Sequence, residues 1–170
     1  MKRLETPEII AAAPSVDLTA KLKGHPFFRG MPARYLEIIG TSAKFERVNP
    51  LEYLFKQGEP ANCFYLIEAG EIVLEAHLPA DGTVLIQTLG AGNVIGWSWL
   101  FPPFVWHLQA RCVKPATLIV LPGAHILAAA ERDRDFGYEI MKRVSRVAVE
   151  RLQQTRDRLL QQEAASVIKT

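Results

Sequence analysis

The sequence has only two cysteines, Cys63 and Cys112, and neither stands in a CxxC pair. Their separation predicts free thiols and argues against a disulfide framework or a cysteine metal site. The four histidines are scattered along the chain, with no carboxylate at ligand spacing. We therefore predict neither a metal site nor a cofactor.

The sequence also lacks long apolar runs and a strong charge of either sign. No stretch approaches the ~20 apolar residues that cross a bilayer, and Glu5, Pro7 and Glu8 interrupt the N-terminal segment where a signal peptide would have its apolar core. A formal net charge of +2 indicates neither a nucleic-acid-binding nor a membrane-binding surface. These features predict a cytoplasmic protein without membrane contact.

A catalytic signature is missing as well. Ser98 lies in the sequence Gly-Trp-Ser-Trp-Leu, which departs from the Gly-x-Ser-x-Gly of a nucleophile elbow at the last position. No strand followed by a long helix flanks it. The sequence therefore does not predict an enzyme.

The sequence does contain a series of short alternating segments between residues 45 and 121. Turn signals such as Asn49-Pro50, Gln57-Gly-Glu-Pro60 and Ala80-Asp-Gly82 separate them. The pattern predicts about eight short strands spaced by roughly ten residues, which is typical of a sandwich, barrel or jelly roll.

Helical periodicity flanks these strands. It predicts a short helical segment at 22–43, a short helix at 125–132 and a long helix from about 135 to 162. A helix of ~28 residues is ~42 Å long, longer than a small barrel is wide, so we expect it to pair with a second copy; a monomeric cap is the alternative. Its apolar positions follow near-heptad steps: Met141, Val144, Ala148, Leu152, Thr155 and Leu159.

All three tryptophans lie within ten residues, in a bend between two predicted strands. An aromatic bend of this kind is where a β-barrel holds a small ligand. The indoles either line a pocket, by stacking or cation–π contacts, or fill the cavity themselves. His107 and Arg111 would share one face of a regular strand and could together bind an anion. The candidate ligand-binding residues of the bend are Gly96, Trp97, Ser98, Trp99, Leu100, Trp106, His107 and Arg111.

The order of elements and several local motifs resemble the cyclic-nucleotide-binding domains of the catabolite-activator type. Residues 25–32 resemble the motif that opens the domain, and residues 53–73 carry the family's spacing, with Gly58 and Gly70 at tight turns. Residues 151–155 resemble the dimerisation helix. The resemblance covers about residues 22–162 and implies a mainly β fold: an eight-stranded β-roll (double-stranded β-helix or jelly roll) with an N-terminal helix, a short helix and a long C-terminal dimerisation helix. It adds Thr155, at a position that touches the nucleobase, to the candidate site.

The resemblance breaks down at the bend. Family members that bind cyclic AMP or cyclic GMP carry a Glu that accepts a hydrogen bond from the ribose 2′-hydroxyl; this chain has Trp97 at that position. They also carry Arg-Ser/Thr-Ala, whose Arg pairs with the cyclic phosphate; this chain has Trp-His-Leu there, at residues 106–108. Losing two charge-assisted hydrogen bonds of ~1.5–3 kcal/mol each weakens binding by roughly 10²-fold to 10⁴-fold. We therefore predict no binding of cyclic AMP or cyclic GMP in the usual mode.

Four parts of the chain follow from these patterns: an N-terminal extension (1–21), a cyclic-nucleotide-binding-like β-roll domain (22–134), the long helix (135–163) and a tail (164–170). The expected function is a stand-alone regulatory or sensor module that binds another small ligand or a partner protein and forms a homodimer through residues 135–163. Direct DNA binding is not expected, because the sequence ends at Thr170 without a helix-turn-helix. The alternatives are a ligand-free interaction scaffold and the sensor half of a truncated catabolite-activator-like transcription regulator.

Overall fold

The structure is a computed structural model that describes residues 18–79 and 82–167. In these residues one six-stranded sheet is accompanied by four α-helices and two short 3-10 helices, at Pro26–Phe28 and Ser98–Leu100. The strands are β1 (Lys44–Val48), β2 (Tyr53–Phe55), β3 (Cys63–Leu78), β4 (Gly82–Gly90), β5 (Val94–Ile95) and β6 (Gln109–Pro122). The helices are α1 (Leu18–Gly24), α2 (Ala33–Gly40), α3 (Gly123–Arg132) and α4 (Arg134–Val167). The expected β-rich fold with flanking helices and a long C-terminal helix is confirmed.

Two long strands, β3 and β6, form the centre of the sheet. The order is β1-β6-β3-β4, with β2 on β6 and β5 on β3, and every pair is antiparallel. The count of eight strands is corrected to six among the described residues, because β3 and β6 each join two of the predicted segments. Gly70 lets β3 continue: it has φ +91°, and a Cβ there would lie 2.3 Å from the carbonyl oxygen of Pro115 on β6.

The helical segment expected at 22–43 is divided into α1, a 3-10 turn and α2. Pro26 begins the 3-10 turn and Pro32 precedes α2, as expected for a residue whose fixed φ suits a helix start. Helix α4 continues beyond residue 162 to Val167. Three segments lie outside the described residues. They are residues 1–17 of the predicted extension, residues 80–81 of the predicted hairpin turn and residues 168–170 of the predicted tail.

Opposite faces of β3 and β6 have different surroundings. Ile72 pairs with Cys112 and Leu74 with Ala110, and all four are buried in the core. On the other face, Glu75 pairs with Gln109 and Val73 with Arg111. Each strand therefore contributes one apolar and one partly polar row, as the alternation of side chains in a strand requires.

Helix α4 packs against the roll through its first half. Phe136, Ile140 and Val144, four residues apart, are buried against the core. Farther along, Arg151 donates a hydrogen bond to the carbonyl of Val94 on β5, and Arg158 donates one to the carbonyl of Ile86 on β4. The second half of the helix is thus tethered to the strands by long side chains, while residues 152–164 are all exposed.

The apolar seam expected on α4 therefore needs one correction. Val144 belongs to the chain's own core and is not available to a second copy. The exposed apolar side chains are Met141, Val149, Leu152, Leu159 and Leu160, with 70% of Leu152 exposed. Among the described helices, none combines the length and apolar character that a membrane span requires.

Candidate ligand site at the tryptophan bend

The bend connects β5 to β6 and is held by backbone hydrogen bonds. Gly96 follows β5 with φ +82°, and the 3-10 helix Ser98–Leu100 comes next. The backbone of Trp106 then pairs with the loop after β2: its carbonyl accepts from Gly58 N–H at 2.8 Å, and its N–H donates to the carbonyl of Glu59 at 2.9 Å. The bend is anchored at both ends, which fixes where its indoles lie.

Trp106 fills the core at the bend. Only 3% of its surface is exposed, and its ring stacks on Phe55, with centroids 3.9 Å apart and planes 16° apart. The Tyr65 ring lies 6.5 Å away. A Cβ on Gly96 would lie 2.9 Å from ring atoms Cη2 and Cζ3 of Trp106, so the indole rests directly on the Gly96 backbone and no ligand group fits between them.

Trp99 joins the bend to α3. It is 3% exposed and meets Phe64 edge to face, with centroids 6.1 Å apart. A Cβ on Gly123, the first residue of α3, would lie 2.7 Å from Trp99 Cγ and Cδ2. Its Nε1–H is buried and has no hydrogen-bond partner among the described residues. Burying such a donor unpaired is costly, so the indole is held here by packing.

Trp97 is half-buried and joins the bend to α4. The guanidinium carbon of Arg151 lies 4.7 Å from the centroid of the Trp97 ring, within the range of a cation–π contact. Arg151 also donates to the carbonyl of Val94, and burial lowers the pKa of its guanidinium to about 10. From the sequence, Arg151 is expected only in the dimerisation helix. Its contact with the bend depends on how α4 crosses the roll, which the helical period does not reveal.

Arg111 is paired inside the chain. Its guanidinium hydrogen-bonds both carboxylate oxygens of Glu75, with Nε 3.2 Å from Oε2, and Gln109 Nε2 donates to the same oxygen at 3.2 Å. Hydrogen bonding by Arg111 lowers the pKa of the buried Glu75 carboxyl. His107 is exposed and precedes β6. The structure therefore does not give Arg111 and His107 the common strand face that the spacing suggested, and the charge of Arg111 is already compensated.

The remaining candidate residues are dispersed. Ser98 and Leu100 are half-buried in the 3-10 helix, whereas Thr155 is exposed on the second half of α4. The bend thus brings together Gly96 and Trp106, while Trp97 and Trp99 link it to the two C-terminal helices. In the part of the chain that the structure describes, no group of three His, Cys, Asp or Glu residues could hold a metal ion.

Comparison with solved structures finds the same architecture in regulatory domains. A cyclic nucleotide-binding domain from Methylobacillus flagellatus KT superposes with a TM-score of 0.72 at 17% identity, covering 85% of this chain and 82% of that one. The sensor domain of the transcriptional regulator DNR from Pseudomonas aeruginosa gives a TM-score of 0.64 at 18% identity, covering 79% and 91%. At these identities the likeness establishes the fold alone.

The sequence is similar to one curated relative and to one family model. The acetyltransferase Pat of Mycolicibacterium smegmatis is 34% identical over 77 residues, which make up 45% of this chain. The match spans about a quarter of that relative's length, 23%. The family model described as cyclic nucleotide-binding domain matches residues 45–133, slightly more than half of the chain. This protein therefore belongs to the cyclic nucleotide-binding domain family.

Proposed function

We propose that this protein is a cytoplasmic, non-catalytic regulatory module that does not bind cyclic AMP or cyclic GMP in the usual mode of its family. It responds instead to another small ligand or to a partner protein at the tryptophan bend. The observation that carries the proposal is the Trp106 indole, stacked on Phe55 in the core at the position where the resemblance implies the phosphate-binding Arg.

The surroundings of Trp106 are unsuited to a cyclic phosphate. Its ring lies against the Gly96 backbone, so an anion would have to displace it. The nearby cation Arg111 on β6 is engaged with Glu75, and if it turned to a ligand the buried carboxylate would keep only its hydrogen bond from Gln109 and lose its compensating charge. An anion buried without a compensating cation is strongly disfavoured.

Contacts of the bend with both C-terminal helices support a regulatory role. Trp99 packs on Gly123 at the start of α3, and Trp97 lies under Arg151 of α4. A ligand or partner that moves either indole therefore changes what these helices touch. Such a shift requires a differential affinity of a few kcal/mol for two helix arrangements.

The proposal includes a homodimer formed through α4. The exposed apolar stripe Met141–Leu159 supports it, because burying such a stripe against a second copy removes apolar surface from water. We expect Leu152→Glu to dissociate the dimer in size-exclusion chromatography with light scattering. Gln153→Glu, which adds the same charge on the next residue, is the matched control and should leave the dimer intact. A wild-type monomer at tens of micromolar would contradict this part of the proposal.

Isothermal titration calorimetry with cyclic AMP and cyclic GMP tests the ligand assignment. The wild-type protein is expected to give no binding heat at millimolar nucleotide. The double variant Trp97→Glu, Trp106→Arg restores the two charged contacts of the family, and we expect roughly 10²-fold or greater gain in affinity. Trp97→Glu alone is the control. Micromolar binding by the wild type would overturn the proposal, and no gain in the double variant would show that the bend is misaligned with the family motif.

A ligand-free interaction scaffold is the second candidate function, and the dense packing of Trp106 and Phe55 favours it. Tryptophan emission separates the two, because three clustered indoles report any ligand that enters the bend. A small molecule that shifts the emission of the wild type but not of Trp97→Phe identifies a sensor. Emission that no small molecule moves, in a protein that still binds a partner protein, identifies a scaffold.

A further inference from the structure

Two grooves run along α4, on the side of the helix that faces the segments before β1 and before β5. One, of about 560 Å³, lies between the first half of α4 and residues 30–35. The other, of about 390 Å³, lies between the middle of α4 and residues 26–29 and 92–94. Arg146 lines both grooves, so the two grooves meet at this residue, and together they are here called the α4 furrow.

The furrow concentrates positive charge. Six cations line it against three carboxylates, those of Asp135, Glu139 and Glu150. Its formal charge of six minus three exceeds the +2 of the whole chain, so the remainder of the protein is close to neutral or slightly acidic. The six cations are Arg29, Arg34, Lys142, Arg143, Arg146 and Arg151.

The carboxylates of the furrow compensate only part of this charge. Glu139 is shared by Lys142 and Arg143. Glu150 lies 4.0 Å from Arg146, and both side chains are more than half exposed, so that contact is weak. The side chains of Arg29 and Arg34 form no ion pair among the described residues; Arg34 donates to the Tyr35 hydroxyl.

Arg143 adds an observation that is independent of the charge count. Its side chain is only 7% exposed, and its Nη2 donates to the carbonyl of Arg29 at 3.1 Å, which fixes one wall of the furrow. Its Nε–H is buried without a partner among the described residues. The guanidinium is already paired with Glu139, so Arg143 holds the shape of the furrow, and the charge available to a partner comes from the exposed cations beside it.

We infer that the α4 furrow binds an acidic segment of a partner protein. The lining residues of α4 run from Asp135 to Gln154, a distance of roughly 29 Å at ~1.5 Å per residue. That is too long for one small ligand and fits about eight to nine residues of extended chain at ~3.3 Å each. Exposed Tyr138, with Lys142 Nζ 5.3 Å from its ring centroid, offers the segment an apolar contact beside the charge.

The furrow and the dimer stripe overlap in part around α4. At ~100° per residue, Arg146 points roughly 120° away from Leu152, whereas Tyr138 points within roughly 40° of it. A paired α4 therefore leaves the Arg146 side of the furrow open, while Tyr138 lies on the face of the stripe. Arg151 belongs to both the furrow and the tryptophan bend, whereas Arg29, Arg34 and Arg146 belong to the furrow alone.

Fluorescence anisotropy of fluorescein-labelled octaglutamate, titrated with the full chain at about 50 mM NaCl, tests the inference. Binding is expected, and it should weaken as salt rises because exposed charges are screened. We expect Arg34→Ser with Arg146→Ser to weaken binding roughly threefold to thirtyfold. The matched control replaces two exposed cations of β1, Lys44→Ser with Arg47→Ser, and should bind like the wild type.

All four substituted residues are exposed, and urea unfolding midpoints measured in parallel establish that each variant is folded. Arg146→Glu is the second test variant. It should weaken octaglutamate binding more than Arg146→Ser does, because it replaces an attractive charge by a repulsive one. Absence of octaglutamate binding, or equal losses in the furrow and β1 variants, would overturn the inference. Equal or tighter binding of labelled octathymidylate would assign the furrow to a nucleic acid and overturn it as well.

Discussion

Replacing Trp106 by alanine tests whether the indole occupies the place of a ligand. The ring is 97% buried and stacked on Phe55, so Trp106→Ala should leave a cavity bounded by Phe55, Tyr65 and the Gly96 backbone. Buried Trp→Ala changes cost about 3–5 kcal/mol in free energy of unfolding, because transfer and cavity terms add. We expect a loss in this range, since the bend is anchored by backbone hydrogen bonds to Gly58 and Glu59 and cannot collapse readily.

The cavity should then accept indole from solution. A ligand that binds only the folded state stabilises it by RT ln(1 + [L]/Kd), about 1.4 kcal/mol at ten times Kd. Urea unfolding read by pulse proteolysis measures this, because added indole does not interfere with the readout. Trp97→Ala is the control: Trp97 is half-buried, so its loss should be smaller and indole should not restore it.

Two results would refute the reasoning. A loss below about 1 kcal/mol for Trp106→Ala would mean that the ring contributes little and that the bend closes over the gap. A full loss without any stabilisation by indole would mean that the space is not a preformed pocket. Either result would remove the argument that the chain's own indole takes the ligand's place.

Three further predictions concern stability, each read as an unfolding midpoint in urea. Glu75→Gln should lower the free energy of unfolding by about 1.5–3 kcal/mol. Because the pKa of Glu75 is lowered in the folded state, its stabilising contribution is present above pH 4.5 and is lost as the pH falls through that lower pKa. The stability of the variant should therefore decrease less steeply with acidification than that of the wild type. Burial lowers the pKa of His25 in the folded state, so on acidification the unfolded chain takes up a proton at a higher pH than the folded protein does. The free energy of unfolding of the wild type should therefore decrease below about pH 6.5, and it should decrease less in His25→Gln. Gly123→Ala should lower the free energy of unfolding by about 1–3 kcal/mol, because the added Cβ meets the Trp99 ring. Gly24→Ala is the control and should cost nothing, because the space around Gly24 is open. Equal stabilities of the two variants would contradict the packing argument.

The fold was predictable because its signals are local. Alternation of apolar and polar residues identifies strands, and glycine and proline mark the turns between them. The number of strands was not predictable from the same signals. Gly70 looks like a turn residue, yet the close approach of Pro115 on β6 keeps it within a bulged, continuous β3.

The bend was predictable for the same reason, and its partners were not. Three indoles in ten residues are visible in any reading of the chain. The carboxylate that neutralises Arg111 comes from Glu75, 36 residues away, and Arg151 reaches Trp97 from a different element. Strand register and helix crossing decide both contacts, and neither leaves a periodic signal in the sequence.

The arrangement of α4 explains how one helix could report on the bend. Arg151 on Val94 and Arg158 on Ile86 attach the same side of the helix to two different strands. Turning the helix by one residue would move both guanidinium groups off their carbonyls together, so intermediate rotations lose two charge-assisted hydrogen bonds at once. The observed position of the helix is therefore fixed by these bonds together with the cation–π contact between Arg151 and Trp97. A ligand or partner that displaces Trp97 removes that contact, and it can shift the helix only if it binds a second arrangement more tightly than this one.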